Sequence, residues 1–565
     1  MNAALYYHSD AFDTSRPKLM GRHAAGEGFL RGYARYSDAD VLYCYTSTDK
    51  QFADFKRRVV ELTGRERPCA FIPYSRRHEL ARPGCLFVPA PGLNEFAWQR
   101  RFGDAKAYSI CGVTHTTASH GVMNAIGDLL IAPIQPWDAV ICTSTVVRAT
   151  FAHVLDNWSA YLNDRFGGEA RCPAQLPVIP LGVECDEMAP SRARKKTRLE
   201  LRGRLGIGDK DIAVLFMGRL SYHAKAHPLP MYLGLEEAAR RTGKPIHLIQ
   251  AGWFGNKAIE NAFIEGAKLY CPSVRAVFLD GRKPEVRANV WTAADIFCSL
   301  SDNVQETFGL TPAEAMAAGL PIVVSDWDGY RDTIRDGIDG FAIPTAMPPP
   351  GTGEGFAYRH LMELDNYDHY IGNASQCVAV DVKACADALT ALVKNKSLRR
   401  RMGEAGRKRA REEYDWRVVV AAYQELWKEL AERREAEAEA APRRPGAPAH
   451  PLRDDPFSVF AGYPTAVIED DTLVAIADGA DEAHLERIRS QPMNDFAAAF
   501  LAPLEETRGL LRRLAEGGPS HVADILAPSE GYDRVKLHRT IGWLAKTGLV
   551  SISYPASPEA PEPGS

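Results

Sequence analysis

Two carboxylates, Glu306 and Glu314, lie eight positions apart in the stretch E-T-F-G-L-T-P-A-E. A carboxylate accepts hydrogen bonds from a vicinal diol well, because its two oxygens match two neighbouring hydroxyl groups. One acid would suit a sugar and the other a ribose. The residues between them predict a loop and then a short helix, whose start would hold the diphosphate that joins sugar to ribose.

This helix is predicted to have Thr311 as its N-cap, Pro312 at its first position and Gly319 at its C-terminal end. Three backbone N–H groups would then face a phosphate, those of Gly309, Leu310 and Thr311. Glu314 has a second explanation, because Thr311 and Glu314 have the spacing of a capping box, in which the glutamate bonds back to the N-cap amide. Glu306 has no such structural explanation.

Two cations, Arg219 and Lys225, follow the predicted strand 212–217 and Gly218 in the stretch M-G-R-L-S-Y-H-A-K. Arginine suits bidentate contact with phosphate, and lysine neutralises a point charge. Together they would stabilise the charge that grows on a departing diphosphate. The alternative is an exposed loop with two ordinary surface cations.

Two histidines, His115 and His120, follow another strand-like run, 109–114. The end of that strand would place His115 at a ligand cleft. The alternative for both His115 and His120 is a histidine in the core or in a loop whose hydrogen bonds are made within the protein. Nearby hydroxyls do not form the G-x-S-x-G nucleophile elbow.

A Gly-rich segment, 21–32, follows the predicted first strand, 3–7, and leads into a helix that ends near Tyr36. A strand, a Gly-rich turn and a helix are typical of the opening of a Rossmann-like half. The alternative is a loop whose glycines serve turns only.

Apolar runs alternate with helical stretches along the chain, which predicts parallel sheets covered on both faces. The predicted strands of the first half are 40–44, 70–73, 85–88, 109–114, 139–142 and 177–180, and those of the second are 212–217, 245–251, 276–279, 296–298 and 320–325. We therefore expect an α/β protein with two Rossmann-like domains facing a cleft.

The predicted division has two large domains, two connecting regions and an accessory domain. It comprises an acceptor domain at 1–185, a nucleotide-sugar domain at 186–398 with an inserted loop or lid at 346–375, helices at 399–430 that pack back across both domains, a Pro/Ala-rich linker at 431–456, and a helical domain at 457–565.

The end of the last domain resembles a winged helix, with helices predicted at 521–526 and 533–546 and a strand at 549–553. Residues 456–565 contain nine Lys and Arg against sixteen Asp and Glu, a net charge of −7. A DNA reader should be locally basic. We therefore expect contact with a protein partner or a second copy rather than with nucleic acid.

The basic segment 192–204 is either a solvated helix or a patch that faces phosphate or lipid.

The bulk composition is that of an ordinary globular protein, with 565 residues, 45% hydrophobic, and a formal net charge of −4. Eleven cysteines without a C-x-x-C pair indicate reduced thiols rather than a disulfide framework or a zinc site. No signal peptide or membrane-spanning run is recognisable, so we expect a cytoplasmic protein with at most peripheral membrane contact.

The stretch from Glu306 to Glu314 resembles the E-x7-E motif of retaining GT-B glycosyltransferases, the group of glycogen synthase, sucrose synthase and many bacterial mannosyl- and glucosyltransferases. Similar stretches follow in the same order: VIPLGVECDEMAP at 178–190, FMGRLSYHAKAHP at 216–228, ADIFCSLSDNVQETFGLTPAEAMAAGLPIVVSDWDG at 294–329 and LRRRMGEAGRKRAREEYDWRVVVAAY at 398–423. The resemblance covers residues 1 to about 430 and is most specific in the second domain.

The resemblance implies a set of donor-binding and catalytic residues. Glu306 would hold the donor sugar, Glu314 the ribose, and Arg219 and Lys225 the diphosphate, with His115 beside the sugar. The other donor contacts would be Gly21, Gly26, Gly218, Phe308, Gly309, Leu310 and Thr311.

The resemblance implies a hexosyltransferase that retains the anomeric configuration, uses a UDP- or GDP-sugar and needs no metal or other cofactor. The acceptor would be a glycan, a lipid-linked molecule or a small molecule. Two alternatives stay open: a non-catalytic shell that binds a partner or nucleic acid through its C-terminal domain, and another GT-B enzyme such as an epimerase or a phosphorylase. Neither the sugar nor the acceptor follows from the sequence.

Overall fold

The protein is described by a computed structural model for residues 2–14, 21–438, 440 and 444–553. The chain divides into two compact units between Pro445 and Gly446. This division falls within the predicted linker 431–456.

The first unit begins with a six-stranded parallel sheet whose strand order is β3-β2-β1-β4-β5-β6. Its strands are β1 (Ala4–Tyr6), β2 (Leu42–Thr46), β3 (Cys69–Pro73), β4 (Cys85–Val88), β5 (Ser109–Val113) and β6 (Ala139–Ile141). This is the Rossmann strand order, in which the direction of winding reverses between the first and fourth strands. The strand predicted at 177–180 forms only an isolated bridge, Cys142 to Val178.

Helices cover both faces of this sheet. They are α1 (Gly21–Tyr36), α2 (Asp49–Thr63), α3 (Asn94–Arg100), α4 (His120–Gly127) and α5 (Thr145–Phe166), and short 3-10 helices lie at Ser9–Phe12, Tyr74–Ala81 and Asp128–Leu130. The Gly-rich segment is helical from Gly21 onwards, so the turn predicted within it is wrong. A β-carbon on Gly26 would lie 2.0 Å from the Ala11 carbonyl oxygen, so close packing allows only glycine at this position.

The second sheet repeats the first, with six parallel strands in the order β12-β11-β10-β7-β8-β9. Its strands are β7 (Ile212–Met217), β8 (Ile246–Gly252), β9 (Val274–Asp280), β10 (Ile296–Ser299), β11 (Ile322–Ser325) and β12 (Gly340–Ile343). Counted from β7, this order is again 3-2-1-4-5-6, so the winding reverses between β7 and β10. The predicted α/β class with two Rossmann-like domains is confirmed.

Seven helices connect the first sheet to the second and the strands of the second to one another. They are α6 (Cys185–Met188), α7 (Arg192–Leu205), α8 (Leu229–Thr242), α9 (Lys257–Tyr270), α10 (Pro284–Ala293), α11 (Leu310–Ala317) and α12 (Tyr330–Thr333). Helix α7 is the predicted basic segment. Two of its arginines are structural, because Arg198 and the buried Arg202 both bond to Asp295, at 2.6 and 3.0 Å.

The segment predicted as an inserted loop, 346–375, is largely helical, and this prediction is corrected. It contains α13 (Glu354–Leu361) and α14 (Tyr367–Gln376), bracketed by the short antiparallel strands β13 (Thr345–Ala346) and β14 (Ala379–Val380). Asn366 caps α14 by accepting from the His369 amide at 3.0 Å. The run of prolines precedes these helices and hides the helical pattern from the sequence.

The last helices of the first unit connect the second sheet to the first. They are α15 (Val382–Lys394), α16 (Lys396–Arg409), a π-helical turn (Ala410–Tyr414) and α17 (Trp416–Ala436). The region predicted as helices at 399–430 therefore contains α16, the π-helical turn and α17, and Asp415 caps α17. Met402 of α16 belongs to the core of the second sheet. Trp416 and Trp427 of α17 belong to the core of the first, so the chain crosses back between the two domains at this turn.

The second unit contains helices and a three-stranded antiparallel sheet in the order β16-β15-β17. Its elements are α18 (Pro456–Val459), β15 (Leu473–Ile476), α19 (Glu482–Arg489), α20 (Pro492–Asp495), a 3-10 turn (Ala498–Phe500), α21 (Leu504–Gly517), β16 (Ser520–His521), α22 (Val522–Leu526), α23 (Gly531–Lys546) and β17 (Val550–Ile552). The apolar stripe of residues 496–504 predicts a helix, but these residues hold only the 3-10 turn and the first residue of α21. The winged helix stays a prediction.

Among the helices that the structure describes, none combines the length and the hydropathy that a membrane span requires. The eleven cysteines are all free thiols, as the sequence predicts.

Candidate functional site

Two loops meet where the winding of the second sheet reverses. One leaves β7 and carries Arg219 and Lys225, and the other leaves β10 and carries Glu306. Because β7 and β10 are adjacent and parallel, their carboxyl ends open at the same edge of the sheet. The structure thereby brings together residues that lie 81 positions apart, and the Lys225 ammonium donates to the Glu306 carboxylate.

The Lys225–Glu306 ion pair is largely removed from solvent, with side-chain exposures of 20% and 13%. Burial by itself lowers the pKa of Lys225, but the Glu306 carboxylate and Tyr330 outweigh it, so the pKa is raised. Lys225 Nζ also lies 5.9 Å from the centre of the buried Tyr330 ring. The site thus holds the Lys225 cation against the Glu306 carboxylate.

Arg219 lies on the same loop, and its guanidinium donates to the Ala224 carbonyl at 2.7 Å. This hydrogen bond connects the two ends of the loop segment 219–224. Burial lowers the pKa of Arg219, and the charges of Asp368, Tyr367 and Glu306 oppose that effect. Gly218 precedes it with a φ of 151°, a conformation that favours glycine. The predicted cations therefore share one constrained loop.

Helix α11 begins earlier than predicted. Gly309 is the N-cap, with a left-handed φ of 92°, so the predicted Thr311 cap is wrong. A β-carbon on Gly309 would lie 2.3 Å from the Tyr330 ring, which makes glycine necessary there. The N–H groups of Gly309, Leu310 and Thr311 precede the first intrahelical bond and point out of the helix start. Gly319 ends α11 as predicted, with a φ of 78°.

Glu314 lies within α11 and does not bond back to the helix start, so the capping-box explanation is wrong. No hydrogen bond or ion pair of its carboxylate is found among the residues that the structure describes. Burial raises the pKa of Glu314 to about 7, with Arg287 acting in the opposite direction. An unpaired carboxyl group in a half-buried position is available to a ligand.

His115 lies just beyond β5 and borders the loop of Glu306. Its carbonyl accepts a hydrogen bond from the Thr307 hydroxyl at 3.3 Å. Burial lowers the pKa of His115 to about 4, with Arg22 of α1 acting in the same direction. A hydrogen bond to the Pro89 carbonyl opposes both effects, so the neutral imidazole donates its one N–H to Pro89 and keeps its other ring nitrogen as an acceptor. The centre of the His120 ring lies 3.7 Å from that of His360 of α13, and the two rings are tilted by 34°.

Two of the predicted donor contacts, Phe308 and Gly26, have structural roles of their own, whereas no such role is found for Gly21 among the described residues. Phe308 is buried and packs edge-on against Tyr414, 5.9 Å between ring centres, so only its backbone is available to a ligand. Gly26 packs against Ala11, as described above. Gly21 is exposed at the start of α1, next to the Arg22 that acts on His115.

Asp328, in the loop after β11, is a member of the site that the sequence analysis missed. It has a left-handed φ of 44°, which is rare outside glycine and asparagine, and its Oδ1 is buried without a hydrogen bond. Burial and the neighbouring Glu306 raise the pKa of Asp328 well above its usual range. A signal was present, since Asp328 precedes Gly329 directly after a buried strand.

Within the described ranges, no group of three or more His, Cys, Asp or Glu residues has the arrangement of a metal site. The prediction that no metal is required stays a prediction.

The family model that matches this chain covers part of the second domain. Residues 197–348 match the family model described as glycosyl transferases group 1. That range contains Arg219, Lys225, Glu306 and Glu314, but not His115.

Two curated relatives have similar local sequences. The chain is 27% identical over 184 residues to a D-inositol 3-phosphate glycosyltransferase of Rhodococcus erythropolis, which covers 32% of this chain and 39% of the relative. It is 32% identical over 146 residues to a phosphatidyl-myo-inositol mannosyltransferase of Mycobacterium leprae, covering 26% of this chain and 29% of the relative. The chain thus spans less than half the length of these relatives.

Among solved structures, Anabaena Alr3699/HepE in complex with UDP-glucose aligns over 76% of this chain and 100% of its own, at 15% identity and a TM-score of 0.48.

Proposed function

We propose that this protein is a retaining glycosyltransferase that moves a hexose from a nucleotide-diphosphate sugar to a hydroxyl acceptor. The observation that carries the proposal is the convergence of Lys225, Glu306 and the start of α11 at the reversal point of the second sheet. The match of residues 197–348 to glycosyl transferases group 1 supports it.

The donor would lie across this edge of the sheet, with each part facing a group of suitable charge. Arg219 and Lys225 would face the diphosphate, together with the N–H groups at the start of α11. Glu306 would accept hydrogen bonds from the sugar hydroxyls, and Glu314 from the ribose. Because Lys225 and Glu306 are paired with each other, the donor would take over part of each one's hydrogen bonding.

The reaction would proceed on one face of the sugar. The acceptor oxygen bonds to the anomeric carbon as the bond from that carbon to the diphosphate breaks, with its electron pair leaving on the diphosphate. The acceptor proton goes to the departing diphosphate oxygen, so the configuration is retained. Arg219 and Lys225 would stabilise the negative charge that develops there, and the free ring nitrogen of the neutral His115 would accept a hydrogen bond from a sugar hydroxyl.

The test is a donor screen with the full chain. Release of nucleoside diphosphate is measured with UDP-, GDP- and ADP-hexoses, with and without EDTA, and the anomeric configuration of the product is read by proton NMR. One donor should be turned over in EDTA with retention. Lys225→Ala and Glu306→Ala should each lower turnover by roughly 10²–10³-fold.

Matched controls are available on the same domain. Lys257→Ala and Glu265→Gln remove exposed charges, 72% and 70% accessible, and should leave turnover unchanged. Full turnover in both Lys225→Ala and Glu306→Ala, or release from no donor, would overturn the assignment.

The alternative of a non-catalytic binding protein has one observation in its favour. The second unit exposes large apolar side chains, among them Tyr463, Met493 and Phe496, which are 82%, 84% and 94% accessible. Such side chains suit a protein partner. Donor-dependent thermal stabilisation discriminates the two proposals, because a ligand that binds only the folded state raises its stability.

A further inference from the structure

A second cavity lies behind the loop that carries Lys225. Its volume is about 730 Å³, and its walls come from that loop, from α8 and α9, and from α14 of the insertion. Ligand cavities of small molecules fall between about 300 and 1,000 Å³. Lys225 and Glu306 do not line it, so it is separate from the proposed donor site.

The lining combines aromatic rings with side chains that both donate and accept hydrogen bonds. Tyr222 and Tyr270 supply rings, and Asn256, Asn373 and Gln376 supply amides. Rings that cover the apolar faces of a ligand and amides that bond to its hydroxyls are what a sugar requires.

The charges of the cavity argue against a phosphorylated ligand. No lysine or arginine is among its lining residues, whereas phosphate is recognised by such cations. Burial lowers the pKa values of His223 and His227, so both imidazoles are neutral at pH 7. Asp368 is the single acid in the lining, and its carboxylate can accept from two neighbouring hydroxyls.

The wall formed by α14 is held in place by packing. A β-carbon on Gly372 would lie 3.0 Å from the β-carbon of His223, so the helix and the loop are in close contact. Ile371 is buried with Ala224 of the loop and Ala118 of the first domain. The cavity is therefore a built groove between α9 and α14 rather than a gap beside a loose segment.

We propose that this groove is a second carbohydrate-binding site, which takes a neutral oligosaccharide and is separate from the donor site. Its floor belongs to the loop of Lys225, and Asn303 of the Glu306 loop donates to the His223 carbonyl at 2.8 Å. An oligosaccharide in the groove would thus contact the loop that carries the donor cations. Binding there does not depend on the chain being a transferase.

The experiment measures binding of maltotriose, mannotriose and triacetylchitotriose to the full chain by saturation-transfer NMR and titration calorimetry. Ala262→Trp on α9 fills the groove, and Asn261→Trp places the same side chain on the neighbouring exposed position outside it. One trisaccharide should bind, its dissociation constant should rise by at least about tenfold in Ala262→Trp, and it should stay unchanged in Asn261→Trp.

Three results would overturn the proposal: no binding of any trisaccharide, equal binding in Ala262→Trp, or loss of binding in Glu306→Gln. The last variant alters only the proposed donor site. If a trisaccharide bound but no donor were turned over, the groove would still be a carbohydrate-binding site. That result would contradict only the proposed transferase function.

Discussion

Lys225 and Glu306, 81 positions apart in the chain, form an ion pair at the point where the second sheet reverses its winding. Neither side chain is free to solvent, and each supplies the other's counter-charge. The site that we propose for an anionic diphosphate and neutral sugar hydroxyls thus holds its cation and its anion in direct contact.

The first prediction concerns the stability that this ion pair provides. Lys225→Met leaves the Glu306 carboxylate without a partner, and Glu306→Gln leaves Lys225 unpaired, at a cost of about 1–3 kcal/mol each. The double variant leaves no unpaired charge, so its loss of unfolding free energy should be smaller than the sum of the two. Urea denaturation measures all four proteins, and additive losses would contradict the pairing.

The second prediction concerns the start of α11. Gly309→Ala should destabilise the protein, because a β-carbon there is strained at a φ of 92° and lies 2.3 Å from the Tyr330 ring. Gly337→Ala is the control, since its φ is 72° and nothing lies within 4 Å of the added carbon. The control should lose about 1–2 kcal/mol from backbone strain alone. Thermal unfolding of both variants gives the comparison, and equal losses would count against the ring contact.

The third prediction concerns Asp328. Asp328→Gly relieves a left-handed φ of 44° and removes a buried carboxyl group without a bonding partner at Oδ1, so stability should rise. Glu363→Gly is the control, because Glu363 is exposed and also has a positive φ, of 57°. The gain at pH 7 should be larger for Asp328→Gly than for the control. A loss of stability would instead show that Asp328 has a partner in solution.

The fourth prediction concerns pH and Glu314. Its pKa is about 7 in the folded protein against 4.5 ordinarily, so the folded state binds more protons than the unfolded state between these values. The unfolding free energy that Glu314 contributes therefore falls as pH rises from about 4.5 to 7. In the Glu314→Gln variant, the unfolding free energy should fall less than in the wild type over this pH range.

Denaturation across that pH range measures this effect as the difference between wild type and variant. The exposed Glu265→Gln serves as the control and should keep the wild-type slope. Parallel curves for wild type and Glu314→Gln would show that the carboxyl group is not buried.

The sequence by itself determined most strands of the two sheets, although not β12, and the loops that carry the candidate site residues. Alternating apolar runs set the strands, because a buried parallel strand must be apolar on both faces. Gly319 marked the end of α11, because a left-handed C-terminal residue favours glycine. Arg219, Lys225 and Glu306 were identifiable because polar residues directly after buried strands fall at a sheet edge.

Only the tertiary structure decided the relations between distant segments. The pairing of Lys225 with Glu306 depends on β7 and β10 being neighbours, which no local pattern specifies. Position 309 requires glycine because a β-carbon would meet the Tyr330 ring, and position 26, inside α1, because a β-carbon would meet the Ala11 carbonyl oxygen. These choices result from contacts between segments, whereas propensity and capping rules describe only neighbours along the chain.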